Sequence, residues 1–288
     1  MIEVKARAKL NLFLEITSKR ADGYHNLESV FARISLCDSL RLKKGPGIKI
    51  SVKDNSNLGR LDPRDNLAYK ACEAFFREFG ITPSVEIELE KNIPVGAGLG
   101  GGSSDCAAAL RGLARLYSVQ VDGRLFKIAE RLGSDVPFFL SDLPFARCSG
   151  KGEKITRIEV KAGLPQILLV WPDFFVSTKE VYGKFSAAGK AEIGRNLRKM
   201  KGFISSLGKE GKKPAFDKVL FNRLEDAVLP CSPPVKKMKE TLLAAGLPAL
   251  MSGSGSAVFA LSYSGRELRG ISRKISSLHK AIFFAKFV

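Results

Sequence analysis

Pro94 to Ser104 reads PVGAGLGGGSS, five glycines in eleven residues, and runs straight into an alanine-rich stretch. Glycine lets the backbone turn its amides inward, and a following helix adds the partial positive charge of its N-terminus. Such a loop is an anion-binding device, and its two serines suit phosphate and magnesium. Gly96, Gly98 and Gly101 also satisfy GxGxxG, the dinucleotide-binding spacing. The preceding strand argues against that reading. Val85, Ile87 and Leu89 alternate with Glu86, Glu88 and Glu90, whereas the dinucleotide motif follows a parallel strand buried on both faces. No lysine precedes Ser103 or Ser104, so this is not a Walker A loop, and a lysine must come from elsewhere. Read alone, the segment also fits a flexible glycine turn.

The surrounding pattern predicts an α+β chain. Even positions from Ile2 to Ile16 are apolar and odd ones mostly polar, which predicts a half-buried strand with Lys9 and Asn11 on its polar face. Alternation continues over 30–42 and 48–52, and Gly45-Pro46-Gly47 between them suggests antiparallel pairing. Residues 66–79 read as an amphipathic helix capped by Asp65 or Asn66 and stopped by Gly80. Helices are expected at 104–117 and at 122–132, the latter stopped by Gly133, with Asp135 just beyond. A glycine turn at 149–153 joins two strand-like pieces, and 161–165 marks a domain boundary. Beyond it come a strand at 166–171 buried on both faces, a capping box of Ser177 and Glu180, and helices at 190–207, 216–228 and 233–245. A strand-turn-strand around 252–256, a helix near 266–278 and a last strand at 281–288 complete two domains, 1–162 and 163–288.

Composition removes several function classes. Cys37, Cys72, Cys106, Cys148 and Cys231 are odd in number and lack any CxxC pair, which argues against a disulfide framework or a zinc site. His25 and His279 are the only histidines, too few for a histidine-ligated metal centre or a Ser-His-Asp hydrolase. Any metal should arrive with a nucleotide. The 288-residue chain carries 47 Lys and Arg against 29 Asp and Glu, a formal charge of +18 that attracts anions without naming one. No apolar run is long enough to span a membrane, and a cytoplasmic protein is expected.

Several strings are less generic. AKLNLFL at 8–14, ADGYHNLESVF at 21–31, LGSDVPFF at 132–139, GKGE at 150–153 and SGSGSAVFAL at 252–261, taken with the glycine loop, resemble the GHMP family of small-molecule kinases. The resemblance spans nearly the whole chain. It implies an N-terminal ribosomal-S5-like α/β domain that binds ATP and a C-terminal ferredoxin-like α+β domain.

The resemblance also implies roles. Lys9 and Asp135 match the catalytic pair, the carboxylate taking the hydroxyl proton and the cation offsetting charge on the transferring phosphoryl group. Read alone, Asp135 is equally a helix-flanking cap and Lys9 a solvated strand residue. Pro94, Val95, Gly96, Ala97, Gly98, Leu99, Gly100, Gly101, Gly102, Ser103 and Ser104 would hold the ATP phosphates, with Asn66, Leu67 and Lys91 toward the adenosine. Ser104 could place its hydroxyl on Mg2+. Tyr24 and His25, with Tyr182 closing the other side, match a cytosine-recognising set, and Asn11 a further substrate contact. Without the surrounding string, Tyr24 and His25 read as strand-edge residues. The implied acceptor is a cytidine diphosphate-linked methylerythritol, phosphorylated on its 2-hydroxyl in isoprenoid precursor synthesis. A monomer or homodimer with no membrane or nucleic-acid partner is expected. Two other readings stay open: a GHMP kinase for a mevalonate- or homoserine-like alcohol, and a basic RNA-binding protein.

Overall fold

The computed structural model describes residues 1–54, 66–172, 176, 178–183, 188–276 and 281–288. The chain is α+β and divides into two compact units interleaved in sequence: residues 1–8, 36–95 and 100–143 form the first, residues 9–35, 96–99 and 144–288 the second. Two long strands, β1 (Ile2–Lys19) and β2 (His25–Lys43), contribute residues to both.

The first unit adds β3 (Gly47–Asp54), α1 (Leu67–Phe79), β4 (Ser84–Lys91), α2 (Gly101–Leu116), α3 (Gly123–Leu132) and α4 (Val136–Ser141). The glycine-proline turn at 45–47 does not close a hairpin. Instead β4 lies between the neighbours, parallel to β3 with Ile48 opposite Val85, and antiparallel to β2 with Leu40 opposite Leu89. At Gly45 the backbone crosses the Glu86 side chain so closely that a Cβ would come within 2.6 Å of it, so the chain steps over β4 here. The alternation in β4 holds, with Val85, Ile87 and Leu89 buried and Glu88 exposed, although the strand does have one parallel neighbour.

Helix α1 runs as expected. Asn66 accepts from the Ala68 N–H and Gly80, at φ 62°, ends the helix; Asp65 lies outside the described residues. Asp122 caps α3 in the same way. Helix α2 begins a turn earlier than expected, at Gly101, because the loop finishes its turning at Gly100 (φ 71°). Phe75 against Phe79, with ring centroids 4.8 Å apart, and Phe76 edge-on to Tyr117 at 5.4 Å form the aromatic part of this unit's core.

The second unit contains β5 (Phe145–Gly150), β6 (Lys154–Arg157), β7 (Gln166–Trp171), α5 (Thr178–Gly183), α6 (Lys190–Leu207), β8 (Phe221–Asn222), α7 (Glu225–Val228), α8 (Pro233–Ala244), β9 (Ala249–Met251), β10 (Val258–Ser262), α9 (Gly265–Ile275) and β11 (Ala281–Lys286). One sheet has the antiparallel order β11-β7-β10-β9. β7 lies inside it, which is why its apolar run is buried on both faces. β5 and β6 form the expected hairpin, and β5 pairs with β2, Ala146 opposite Phe31. Ser177 and His279 lie outside the described residues.

Two expectations change here. The odd positions of β1 are not wet: Lys9, Asn11 and Glu15 are all buried. Arg223 covers Glu15 with two hydrogen bonds of 2.8 and 2.9 Å, and Lys9 and Asn11 bond each other, so polar residues on this face satisfy one another instead of water. Residues 216–228 are not one helix but a 3-10 turn, the short β8 and α7. Asn222 explains the break. Its Nδ2 donates to the carbonyls of Met251 at 2.9 Å and Gly253 at 2.7 Å, its Oδ1 accepts from the Leu224 N–H, and β8 pairs in parallel with Phe13 and Leu14.

Among the described residues no helix is long and apolar enough to cross a membrane. Replacing Asn222 by Ala strands two buried carbonyls, and chemical denaturation should report a loss of about 3 kcal/mol.

Candidate active site

The glycine loop starts behind β4 and ends at α2. Gly96, Gly98 and Gly100 sit at φ 68°, 76° and 71°, the left-handed region that a side chain disfavours. At Gly98 space is as limiting as torsion, since a Cβ would fall 2.0 Å from the carbonyl oxygen of Ser252 and 3.0 Å from the Gly255 nitrogen. Ser252 Oγ donates to the Gly98 carbonyl at 3.1 Å, and the Ala257 N–H donates to the Ala97 carbonyl at 3.1 Å. The Lys9 N–H donates to the Leu99 carbonyl at 3.0 Å. Loop carbonyls 97 to 99 are thus occupied by protein donors. Gly100, the α2 cap, has no side chain to satisfy the first-turn N–H groups, which leaves them suited to an anion.

In the second unit Lys9 Nζ donates to Asn11 Oδ1 at 2.5 Å and lies 4.5 Å from the Phe31 ring centroid. Asn11 Nδ2 donates to Ser29 Oγ at 3.0 Å, and Ser29 Oγ donates to the Phe13 carbonyl. His25 and Tyr182 bring their rings within 5.4 Å at 34°. Burial lowers the His25 pKa, helped by the Lys19 charge, so the imidazole is neutral near pH 7 and offers one donor and one acceptor. Tyr24 is 55% exposed, with Lys151 Nζ 4.8 Å from its ring centroid.

Asp135 stands in the first unit as the cap residue of α4, half-buried, and its side chain makes no capping hydrogen bond. Lys9 belongs to the second unit. Asn66 Oδ1 accepts the Ala68 N–H at 2.8 Å as the helix cap, and Leu67 Cδ1 lies 3.6 Å from where a Gly102 Cβ would stand. The expectation for Lys91 is a contact toward the adenosine. Lys91 is buried, and its ammonium is engaged by Asp38 and, at 2.6 Å, by Asp105. Ser104, expected to place its hydroxyl on magnesium, is 1% exposed, and its Oγ donates to the Arg7 carbonyl at 2.7 Å, which leaves the oxygen lone pairs as its remaining polar capacity. Among the described residues no group of three or more His, Cys, Asp and Glu is arranged to hold a metal.

Sequence reasoning missed Ser29, Asp38 and Asp105. Ser29 lay inside the DGYHNLES string, and Asp105 follows the last loop serine, so both carried a signal of position; Asp38 sits in an ordinary strand pattern and carried none.

Comparison with known proteins places the chain in a family. The family profile described as GHMP kinases N terminal domain matches residues 66–142, and that described as GHMP kinases C terminal matches residues 200–280. A Prosthecochloris aestuarii protein named 4-diphosphocytidyl-2-C-methyl-D-erythritol kinase is 38% identical over 285 residues, 98% of this chain and 96% of its own. A Clostridium tetani protein of the same name is 39% identical, with both chains covered completely. A crystal structure of 4-(cytidine 5'-diphospho)-2C-methyl-D-erythritol kinase superposes with a TM-score of 0.77 at 33% identity, over 99% of this chain and 98% of the other. A mevalonate kinase structure, at 14% identity and TM-score 0.72, shares the fold. This chain belongs to the GHMP kinase family, an ATP-using class of enzymes with the α+β fold described above.

Two outcomes follow from the site geometry. Gly98→Ala must force both the torsion and the Ser252 carbonyl contact, and should cost more than about 2 kcal/mol of stability by denaturant unfolding. Burial pushes the Asp105 carboxyl well above the usual carboxylate range, the Lys91 charge offsetting only part of this. The folded state therefore keeps a proton that the unfolded chain gives up above about pH 4, so this group lowers stability as pH rises from there toward its folded pKa. Asp105→Asn should flatten that part of the curve, read as Tm between pH 4 and 8; an unchanged slope would contradict the assignment.

Proposed function

We propose that this chain is a kinase that transfers the γ-phosphate of ATP to the 2-hydroxyl of 4-diphosphocytidyl-2-C-methyl-D-erythritol, giving the 2-phosphate and ADP in the non-mevalonate route to isoprenoid precursors. The observation that carries the choice of acceptor is the His25 and Tyr182 ring pair, with Tyr24 exposed at the preceding position, found in a chain that matches kinases of that name over nearly its full length. Aromatic faces supply affinity for a planar base, and a neutral imidazole can meet both donor and acceptor groups on the edge of cytosine.

In this reading the N–H groups of the glycine loop and of the first turn of α2 hold the phosphates. The acceptor oxygen bonds to the γ-phosphorus as the bond to the bridging oxygen of ADP breaks, and its proton passes to the Asp135 carboxylate. Lys9, held by Asn11 and against Phe31, sets a positive charge beside the transferring group. Asn11 contacts the acceptor, and Asn66 and Leu67 flank the adenosine. Magnesium accompanies the nucleotide, and no residue is assigned to it. We further propose the division into domains at 1–162 and 163–288, and a cytoplasmic monomer or homodimer without membrane or nucleic-acid partners.

The test is a steady-state ADP-release assay with this acceptor and with mevalonate. Asp135→Asn should lower kcat by about 10² to 10⁴-fold with both KM values little changed. His25→Ala and Tyr182→Ala should instead raise KM for the cytidine compound, and in the parent protein that KM should rise as pH falls through the lowered His25 pKa. Turnover of mevalonate in preference to the cytidine compound would sink the substrate assignment.

A further inference from the structure

A buried ionic cluster closes the base of the glycine loop. Lys91, the last residue of β4, donates through Nζ to Asp38 on β2 and to Asp105 Oδ2 on α2, and all three side chains are at most 8% exposed. Asp38 Oδ1 also accepts the backbone N–H groups of Asn92 at 2.5 Å and Ile93 at 2.8 Å. Those two residues lead directly into Pro94, and Asp105 directly follows Ser104. A single cluster therefore grips the chain just before the loop and just after it. Its ammonium also stands 3.5 Å from the position a Gly101 Cβ would take, beneath the first residue of α2.

Burial makes such a cluster costly unless it is well paired. Asp105 Oδ1 is buried without a hydrogen-bond partner, which suits a neutral carboxyl and not an ionised one. Asp38, with three donors converging on it, holds the negative charge that balances Lys91. A hydrophobic plug of similar volume would fill this space at no greater cost in stability. What ions add is direction: each bond fixes one specific atom at the entry or exit of the loop.

We propose that Asp38, Lys91 and Asp105 are positioning residues that set the two stems of the glycine loop, and with them the first-turn N–H groups of α2, in their phosphate-binding arrangement before nucleotide arrives. Lys91 then serves the nucleotide through the backbone it anchors. This rests on the reading of the loop as the ATP site and is independent of which alcohol accepts the phosphate.

The experiment uses the full chain and β,γ-imido-ATP with Mg2+, binding measured by calorimetry without any acceptor. The paired variant Asp38→Asn/Lys91→Met removes both charges together, so its Tm should stay near that of the parent while its affinity for the analogue falls at least about tenfold, in line with the cost of small misplacements. In turnover the same variant should raise KM for ATP and leave KM for the acceptor unchanged, a split that a general loss of folded protein does not give. Affinity retained in the folded paired variant would overturn the proposal. Should that variant not fold, hydrogen exchange on the parent protein decides: the Asn92 and Ile93 amides should be protected without nucleotide, and protection appearing only once the analogue binds would equally overturn it. A parent that binds the analogue but does not phosphorylate the cytidine compound would refute the acceptor assignment alone.

Discussion

Backbone packed on backbone at Gly98 is the contact on which the rest of the site depends. The Ser252 carbonyl occupies the space a side chain would need, so the loop and the turn at 252–255 can meet only if residue 98 is glycine. That contact places the carbonyls of residues 97 to 99 against protein donors from Ala257, Ser252 and Lys9. A loop whose acceptors are already satisfied presents its remaining N–H groups, and this polarity suits a phosphate. Five glycines in eleven residues are therefore geometry as much as flexibility.

The second organising feature is the burial of ions that a first reading would leave in water. Lys9 and Asn11, Glu15 with Arg223, and Lys91 with its two aspartates are internal, and each is matched by partners at hydrogen-bonding distance. Their cost in desolvation is large and their net gain in stability small, so their value lies in fixing particular atoms. Lys9 is held in place by a chain of hydrogen bonds that runs through Asn11 to Ser29 and the Phe13 carbonyl. The formal charge of +18 is a separate feature, which attracts anions in general without naming one.

Much of this was legible in the sequence wherever a local rule governs the outcome. Asn66 and Gly80 bracket α1, Asp122 opens α3, and the apolar run from Gln166 to Trp171 is an interior strand, because caps and periodicity are properties of neighbours in sequence. What the sequence hid depends on distant partners. Alternation in β1 revealed which residues share a face but not that Arg223, over 200 positions away, would cover it. Gly45-Pro46-Gly47 marked a change of direction without saying that β4 would slot in beside it. The resemblance pointed to Lys91 and the loop position to Ser104 as ligands, and neither showed the groups they bond, Asp38 and the Arg7 carbonyl, which come from strands far upstream. Asn222 broke an apparent helix for the same reason, its amide being claimed by carbonyls about 30 residues later.

The central claim is that phosphate moves from ATP to one hydroxyl of a cytidine-linked alcohol, and phosphorus NMR of the reaction mixture tests it directly. With Mg-ATP and 4-diphosphocytidyl-2-C-methyl-D-erythritol, the account predicts one new phosphate-monoester resonance growing in step with ADP, the diphosphate bridge of the cytidine compound remaining intact. ADP appearing with inorganic phosphate alone, or a spectrum that does not change, would contradict it.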